Sequence, residues 1–445
     1  MPEPLRDYQV ADLAFLIANP RALILHDPGG GKTPPVCVWL YWQWTTRRKR
    51  SLWVMPRSLL KKNYDELLRF TNFAPQNLEI ISGPVRGDPK VMLMTPARFR
   101  MAWRTLCDDF PDLDAVAADE THLYWTTPDS ASSLALERVM KRASSFVGMT
   151  GTLISGRYSS AYPLIRVLDP RYYLSYEQFL NTHAVLDDYG RPIAWHSPEK
   201  LIAILARHSI RRSFESIYGK AAIVQQVELC EMTPRQREAY EQFEEMAILE
   251  LEDSVLTSSN SAVHALRCRQ IMGHPETFGI AVGSTGKDDR LAIHLADHAN
   301  TGAPLVIFAA FVPEQERILA LVRSRGLKAE LLNGSVSTKK RGQIDEDFRM
   351  GRVQVLVGSA PVAGVGFNWQ HCSHVIFASL DYQDANVTQS MWRFLRGVRT
   401  TPLLVTFLEY EHSIDQRIMR IVEAKSRLAA TVTPEKETLR LVTTN

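Results

Sequence analysis

Cysteine is scarce in this sequence, and the five present, at positions 37, 107, 230, 268 and 372, form no Cys-x-x-Cys pair. That argues against a disulfide scaffold or a zinc site and fits a reducing compartment. Long apolar runs are missing as well; none approaches the roughly 20 residues that cross a bilayer. No membrane association is therefore expected. The stretch Met1 to Val10 lacks the basic-then-apolar order of a secretory signal, which leads to the expectation of a cytoplasmic protein. Net charge is small too: 52 basic against 49 acidic side chains leave +3, too little to identify a partner. What remains, 45% hydrophobic and 23% charged, is ordinary globular composition. At ~150 residues per domain, a chain of 445 residues has room for two or three.

Distribution says more than totals. Arg47-Arg48-Lys49-Arg50 and Lys339-Lys340-Arg341 are local basic clusters, either solvated loops or phosphate-facing surfaces. Short apolar runs recur in the first third: Ala22 to Leu25, Leu52 to Met55, Val91 to Met94, Val116 to Ala118 and Phe146 to Met149. Runs of this kind alternating with helical stretches predict strands buried on both faces of a parallel sheet. The last third repeats the pattern at Leu305 to Phe308, Val353 to Val357, Val375 to Ala378 and Leu403 to Leu408. Between them the texture is helix-favouring, and Gly283-Ser284-Thr285-Gly286 reads as a hinge. The expected layout is α/β: a first lobe over 1–155, a mainly helical connector over 156–285 and a second lobe over 286–445.

The first predicted strand runs into His26-Asp27-Pro28-Gly29-Gly30-Gly31-Lys32-Thr33. Consecutive glycines allow a tight turn that aims amide N–H groups at a phosphate, and the positive end of a following helix also favours an anion. Lys32 is placed to reach β and γ phosphates and Thr33 to offer a hydroxyl to Mg²⁺. His26 stands where such loops usually begin with glycine. Pro34 and Pro35 are tolerated in the first turn of a helix.

Further on comes Asp119-Glu120-Thr121-His122 after a buried apolar run. An acidic pair at a strand end is costly unless a cation or strong hydrogen bonds compensate. Asp119 suits Mg²⁺ coordination and Glu120 suits activation of water. Thr150-Gly151-Thr152 follows the next strand. In the last third, Gly364 and Gly366 permit close backbone approach to a phosphate. Gln389, Arg393 and Arg396, if helical, share one face, and arginine suits a phosphoryl group gaining charge.

Taken in order, these segments resemble the superfamily-two helicases and, within them, the Swi/Snf-type ATPases. Leu5-Arg6-Asp7-Tyr8-Gln9 is similar to an amino-terminal element of that family. Pro56-Arg57-Ser58 and Met94-Thr95-Pro96 are similar to its motifs Ia and Ib, and Asp119 to His122 to its DEAH box. Ile210-Arg211-Arg212, Met232-Thr233-Pro234 with Gln236 and Tyr240, and Leu266-Arg267 through His274-Pro275 are similar to connector elements of the Swi/Snf type. The resemblance implies two RecA-like lobes, with ATP and Mg²⁺ held by Gln9, Asp27, Pro28, Gly29, Gly30, Gly31, Lys32, Thr33, Asp119, Gly364 and Gly366. It implies catalytic roles for Lys32, Asp119, Glu120, Arg393 and Arg396. It also implies DNA, duplex or branched, as partner, with Arg57, Arg98, Lys339, Lys340 and Arg341 as candidate phosphate contacts. A compact motor of bacterial or phage type, monomeric and acting as a DNA translocase or helicase in repair or recombination, is the expectation. An RNA helicase and a motor subunit of a restriction-type complex are the alternatives.

Overall fold

Among the described residues, thirteen strands fall into two parallel sheets of seven and six, as the buried apolar runs require. The computed structural model describes residues 2–151, 154, 158–219, 223–253, 258–363, 367–381, 384–395, 399 and 401–432. Two compact units result, with bodies Met1–Gly219 and Lys220–Ala424.

In the first unit the strands are β1 (Arg21–Ile24), β2 (Arg50–Val54), β3 (Leu78–Ile80), β4 (Val91–Met94), β5 (Leu113–Asp119) and β6 (Ser145–Met149). A short antiparallel pair follows, β7 (Ala184–Leu186) with β8 (Pro192–Trp195), and then β9 (Ser209–Ile210). The large sheet runs β3-β4-β2-β5-β6-β1-β9, every neighbour parallel. Parallel strands need covering on both faces. Helices such as Thr33–Thr45, Pro96–Asp109 and Ala131–Met140 pack over them, and β2, β4 and β6 are buried along their whole length. Packing is close enough that a Cβ on Gly148 would lie 2.7 Å from the Leu23 side chain.

The second unit holds β10 (Ile223–Cys230), β11 (Leu305–Phe308), β12 (Ala329–Leu332), β13 (Val355–Gly358), β14 (His374–Phe377) and β15 (Leu403–Tyr410). Their order is β10-β15-β14-β11-β13-β12, again all parallel. The α/β expectation is met in both units. Residues 156–285 are shared between them: β9 joins the first sheet and β10 the second, and β10 pairs with β15 over eight residues. In β10 the apolar pattern is interrupted by Gln225, Gln226 and Glu228, which hides the strand from a search for continuous apolar runs.

Two local readings are corrected. The Gly283–Gly286 stretch is a helix start, not a free hinge. Thr285 accepts from the Asp288 amide at 3.2 Å and its own amide donates to Asp288 Oδ2 at 2.9 Å, a reciprocal cap of the helix Gly286–Thr301. Two residues of the basic cluster at 47–50, Arg47 and Arg50, are tied into the fold by acids. Arg47 reaches Asp114 at 3.2 Å, and Arg50, 8% exposed, reaches Asp112 at 3.1 Å and Asp88 at 2.5 Å. All five cysteines are buried and free. Among the described residues no helix is long and apolar enough to cross a membrane.

Buried polar groups of the second unit form a directed chain. His298 Nδ1 donates to the Ala303 carbonyl at 2.9 Å, so its Nε2 accepts from His374 Nδ1 at 2.9 Å. His374 Nε2 then accepts the Thr406 hydroxyl at 3.1 Å, and Thr406 in turn accepts from Gln226 at 3.0 Å. The two links in which a ring nitrogen accepts, at His298 Nε2 and His374 Nε2, require those nitrogens to be unprotonated. Burial, followed by the neighbouring His298 and His294, pushes the His374 pKa down to about 3. His294 beside it pairs with Glu228 at 3.0 Å. An unfolded histidine takes its proton near 6.5. The unfolded chain therefore binds more protons between the two values, and stability falls as pH drops through that window. Denaturant titrations between about pH 6.5 and 4.5 should show the second unit weakening by up to about 1.4 kcal/mol per pH unit for this group. His374→Asn should flatten that slope; an unchanged slope would contradict the assignment.

Candidate functional site

Three neighbouring strands end together at one edge of the first sheet. Ile24 of β1 is in register with Met149 of β6, and Met149 is in register with Asp119 of β5. The glycine loop, Thr150 and the Asp119–Glu120 pair therefore leave the sheet side by side. The Thr150 amide donates to the Ile24 carbonyl at 3.1 Å, which closes the edge.

The loop itself is held by buried charge. His26 occupies the place of the usual first glycine because its ring is a fixture. Its Nδ1 accepts from the Arg212 amide at 3.1 Å, which leaves Nε2 to donate to Asp12 at 2.8 Å. Burial lowers the His26 pKa, consistent with that neutral tautomer. Arg212 completes the cluster, with Nε 2.8 Å from the other oxygen of Asp12, a residue with no exposed surface. One position earlier, Arg211 donates to Asp27 at 2.9 Å, and the Phe214 amide donates to the second Asp27 oxygen at 2.9 Å. The Asp27 carboxylate is thus engaged in shaping the loop. Gln9, 5% exposed, donates to the Gly31 carbonyl at 3.0 Å and accepts from the Arg6 amide at 2.9 Å.

Within this frame the glycines are needed. Gly29 and Gly31 have φ of 84° and 67°, where a side chain is strained. A Cβ on Gly31 would also lie 2.6 Å from the Tyr8 hydroxyl and 2.7 Å from Gln9 Nε2. Pro28 packs on the far side, 3.0 Å from where a Cβ on Gly151 would sit. The helix Thr33–Thr45 begins directly after Lys32, with Pro34 and Pro35 in its first turn and no side-chain cap on its amino end. That end is a ready anion site. The Lys32 ammonium rests on the carbonyls of His26 and Asp27, at 2.9 and 3.3 Å.

Across the edge, Asp119 is 6% exposed. Its oxygens accept from Asn63 at 3.2 Å and from the Glu120 amide at 3.0 Å. Burial, and then the charge of Glu120, pushes its pKa up to about 6, while Lys32 and Asn63 pull the other way. A carboxylate in such a place is relieved by a cation. Glu120 itself is left-handed, with φ 51° and ψ 48°, a conformation that costs a non-glycine residue about 1–2 kcal/mol and is commonest where function demands it. The turn brings its carboxylate to 3.5 Å from His122 Nδ1, which lies 2.8 Å from the Thr150 hydroxyl. Tyr124 fixes the backbone from behind by donating to the Asp119 carbonyl.

The donor set fits a magnesium-bound polyphosphate. Loop amides, an uncapped helix start and a lysine are groups that suit phosphate, and a threonine hydroxyl and the Asp119 carboxylate are oxygen donors of the kind Mg²⁺ takes. Among the described residues no group of three or more His, Cys, Asp or Glu side chains is arranged to hold a metal alone.

Of the remaining expected residues, Arg57 is exposed just after β2. Arg98, after β4, donates to the Gly83 carbonyl at 2.6 Å. Lys339 and Lys340 are exposed in the first turn of the helix Thr338–Arg349, while Arg341 folds back onto the Gly334 carbonyl at 3.0 Å. Arg393, 5% exposed, lies in a turn after the helix Asp384–Met391. The helical spacing expected of Gln389 and Arg393 therefore does not hold, because the helix stops at Met391. Gly364, Gly366, Arg396 and Thr152 lie outside the described residues. Asp12, Asn63 and the role of the Arg211–Arg212 pair were not legible as site residues, and His122 was marked only by its place in the segment similar to the DEAH box. The arginine pair stood out only through family resemblance.

Residues 286–398 match the helicase conserved C-terminal domain. The chain is 22% identical over 282 residues to a DNA repair and recombination protein RAD54-like from Danio rerio, covering 56% of this chain and 38% of that protein. It is 25% identical over 130 residues to the DNA repair protein RAD5 of Yarrowia lipolytica, covering 29% of this chain and 13% of that protein. The chain thus spans well under half the length of these relatives. Among solved structures, the Pyrococcus furiosus Hef helicase domain superposes with a TM-score of 0.56 at 16% identity, over 93% of this chain and 97% of that one. That likeness shows the fold, two RecA-like lobes.

The buried cluster makes a direct forecast. Arg212→Met leaves the Asp12 carboxylate without its cation, which should cost about 3 kcal/mol. The urea midpoint of the first unit should fall accordingly, whereas Arg207→Met, at an exposed position, should change stability by less than about 0.5 kcal/mol. Equal effects from the two would contradict the role given to Arg212.

Proposed function

We propose that this chain, a relative of the superfamily-two helicases of Swi/Snf type, is an ATP hydrolase that drives translocation on DNA. The observation that carries the reading is the convergence of the glycine loop, Lys32, Asp119, Glu120 and Thr150 at the ends of three adjacent parallel strands. Ligands of open α/β sheets bind at that edge.

In this reading the Gly29 to Thr33 backbone and the Lys32 ammonium bind the β and γ phosphates, and Gln9 and Asp27 keep the loop in shape. Lys32 exchanges its contacts with the His26 and Asp27 carbonyls for phosphate oxygens. Thr33 and Asp119 are the residues that would hold Mg²⁺, and a metal bound there would supply neutralisation of phosphate charge. Glu120 orients the attacking water and accepts its proton, and His122 Nδ1 lies between its carboxylate and the Thr150 hydroxyl. Arg393 and Arg396, with Gly364 and Gly366, are assigned to the phosphoryl group by resemblance. Contacts with DNA through Arg57, Arg98, Lys339, Lys340 and Arg341 would be made to phosphates, so they would be insensitive to sequence and sensitive to salt. The names of the relatives, DNA repair and recombination proteins, support DNA over RNA.

The test is a steady-state ATPase assay with duplex DNA, forked DNA and RNA as stimulants. Glu120→Gln should lower kcat by about a hundredfold or more while nucleotide binding persists, and Lys32→Ala should lose binding itself. Stimulation should follow DNA and fall with salt. Wild-type turnover in Glu120→Gln would remove the assigned water-activating role, and stimulation by RNA alone would favour an RNA helicase.

A further inference from the structure

We propose that the face between the helices Pro96–Asp109 and Ala131–Met140 of the first unit is a docking site for an acidic segment of another protein that carries an apolar side chain. Arg100, Met101, Trp103 and Arg104 line it from one helix, Leu134 and Arg138 from the other, around a recess of about 300 Å³. Arg100 and Arg104 are four residues apart, as are Leu134 and Arg138, so each helix presents a ridge and the recess is the trough between them.

None of these three arginines takes part in an ion pair among the described residues. Arg104 and Arg138 instead lie over the Trp103 ring, at 5.2 and 5.9 Å from its centre. The nearest acids in sequence are committed elsewhere, Asp108 to Arg142 at 2.9 Å and Glu137 to Arg166 at 3.1 Å. No ion pair among the described residues therefore offsets the positive charge gathered here. Apolar surface is exposed beside it: Met101 is 72% exposed and Leu134 36%. Removing that surface from water favours association.

Composition selects the partner. Arginine, tryptophan and methionine are enriched in protein interfaces, where lysine is depleted, and arginine with tryptophan supplies most hot spots. This recess has all three favoured types and no lysine. Planar guanidinium groups pair bidentately with carboxylates, and the volume suits one apolar side chain set between acidic ones. A nucleic-acid backbone would call for charge strung along a track, and would leave Met101 and Leu134 without a role. The inference rests on nothing in the nucleotide site and stands or falls separately from it.

The full-length protein can be titrated against a short fluorescein-labelled peptide of aspartate, glutamate, leucine and phenylalanine, followed by anisotropy. A second peptide with serine for the apolar residues serves for comparison. Binding of the first should exceed that of the second, and Arg104→Glu combined with Arg138→Glu should weaken it about tenfold or more, with basal ATP hydrolysis unchanged. Hydroxyl-radical footprinting of the wild type supplies a second readout independent of variants: the peptide should protect Met101, and duplex DNA should not. Equal affinity of wild type and double variant would overturn the proposal. Protection of Met101 by duplex DNA alone would also overturn it and make the face a nucleic-acid surface.

Discussion

A loop of three glycines has no preferred shape of its own, and here buried carboxylates impose one. Asp12 holds His26 and Arg212, and Asp27 holds Arg211 and the Phe214 amide. Residues almost two hundred positions apart in sequence are thereby joined around the first strand. Such pairs are expensive to bury and more expensive to break. Their consequence is that the backbone on either side of the glycines is anchored: the Gly30 amide donates to the Asp27 carbonyl at 3.0 Å, and the Asp27 carboxylate is held in turn by Arg211. Preorganisation of this kind reduces the cost of ordering the loop at the moment of binding.

The opposite wall shows the complementary electrostatics. Asp119 and Glu120 are adjacent acids at a buried strand end, and the raised pKa of Asp119 records the cost of that placement. The left-handed turn at Glu120 separates the two side chains, so one stays with Asn63 and the other turns toward His122. Through the Thr150 hydroxyl the acidic pair is connected to the end of the neighbouring strand. Strand order does the rest, because β5, β6 and β1 are neighbours although their sequences are separated by long crossovers.

Much of this was legible in the sequence. Continuous apolar runs such as Val91 to Met94 and Leu305 to Phe308 coincide with strands because burial on both faces leaves no room for polar residues. The glycine loop and acidic pair were legible because their chemistry depends on local order alone. What escaped detection depends on long-range partners. Gln226 and Glu228 disguise β10, since a polar residue inside a strand makes sense only once Thr406 and His294 are known to face it. His26 looked like a departure from a phosphate loop, and only Asp12 and Arg212 explain it. The basic run at 47–50 looked like surface until Asp88, Asp112 and Asp114 were found against it. The helix expected through Arg393 ends at Met391, where local spacing gave no stop signal.

The central claim is that the loop after β1 and the carboxylates after β5 form one magnesium-nucleotide site. A crystal structure of the protein with Mg²⁺ and ADP tests it most directly. β-Phosphate oxygens are expected on amides of the loop from Gly31 to Thr33, the Lys32 ammonium moved from the His26 and Asp27 carbonyls onto phosphate, and the metal facing Thr33 and Asp119. Nucleotide bound elsewhere, with Lys32 still on those carbonyls, would contradict it.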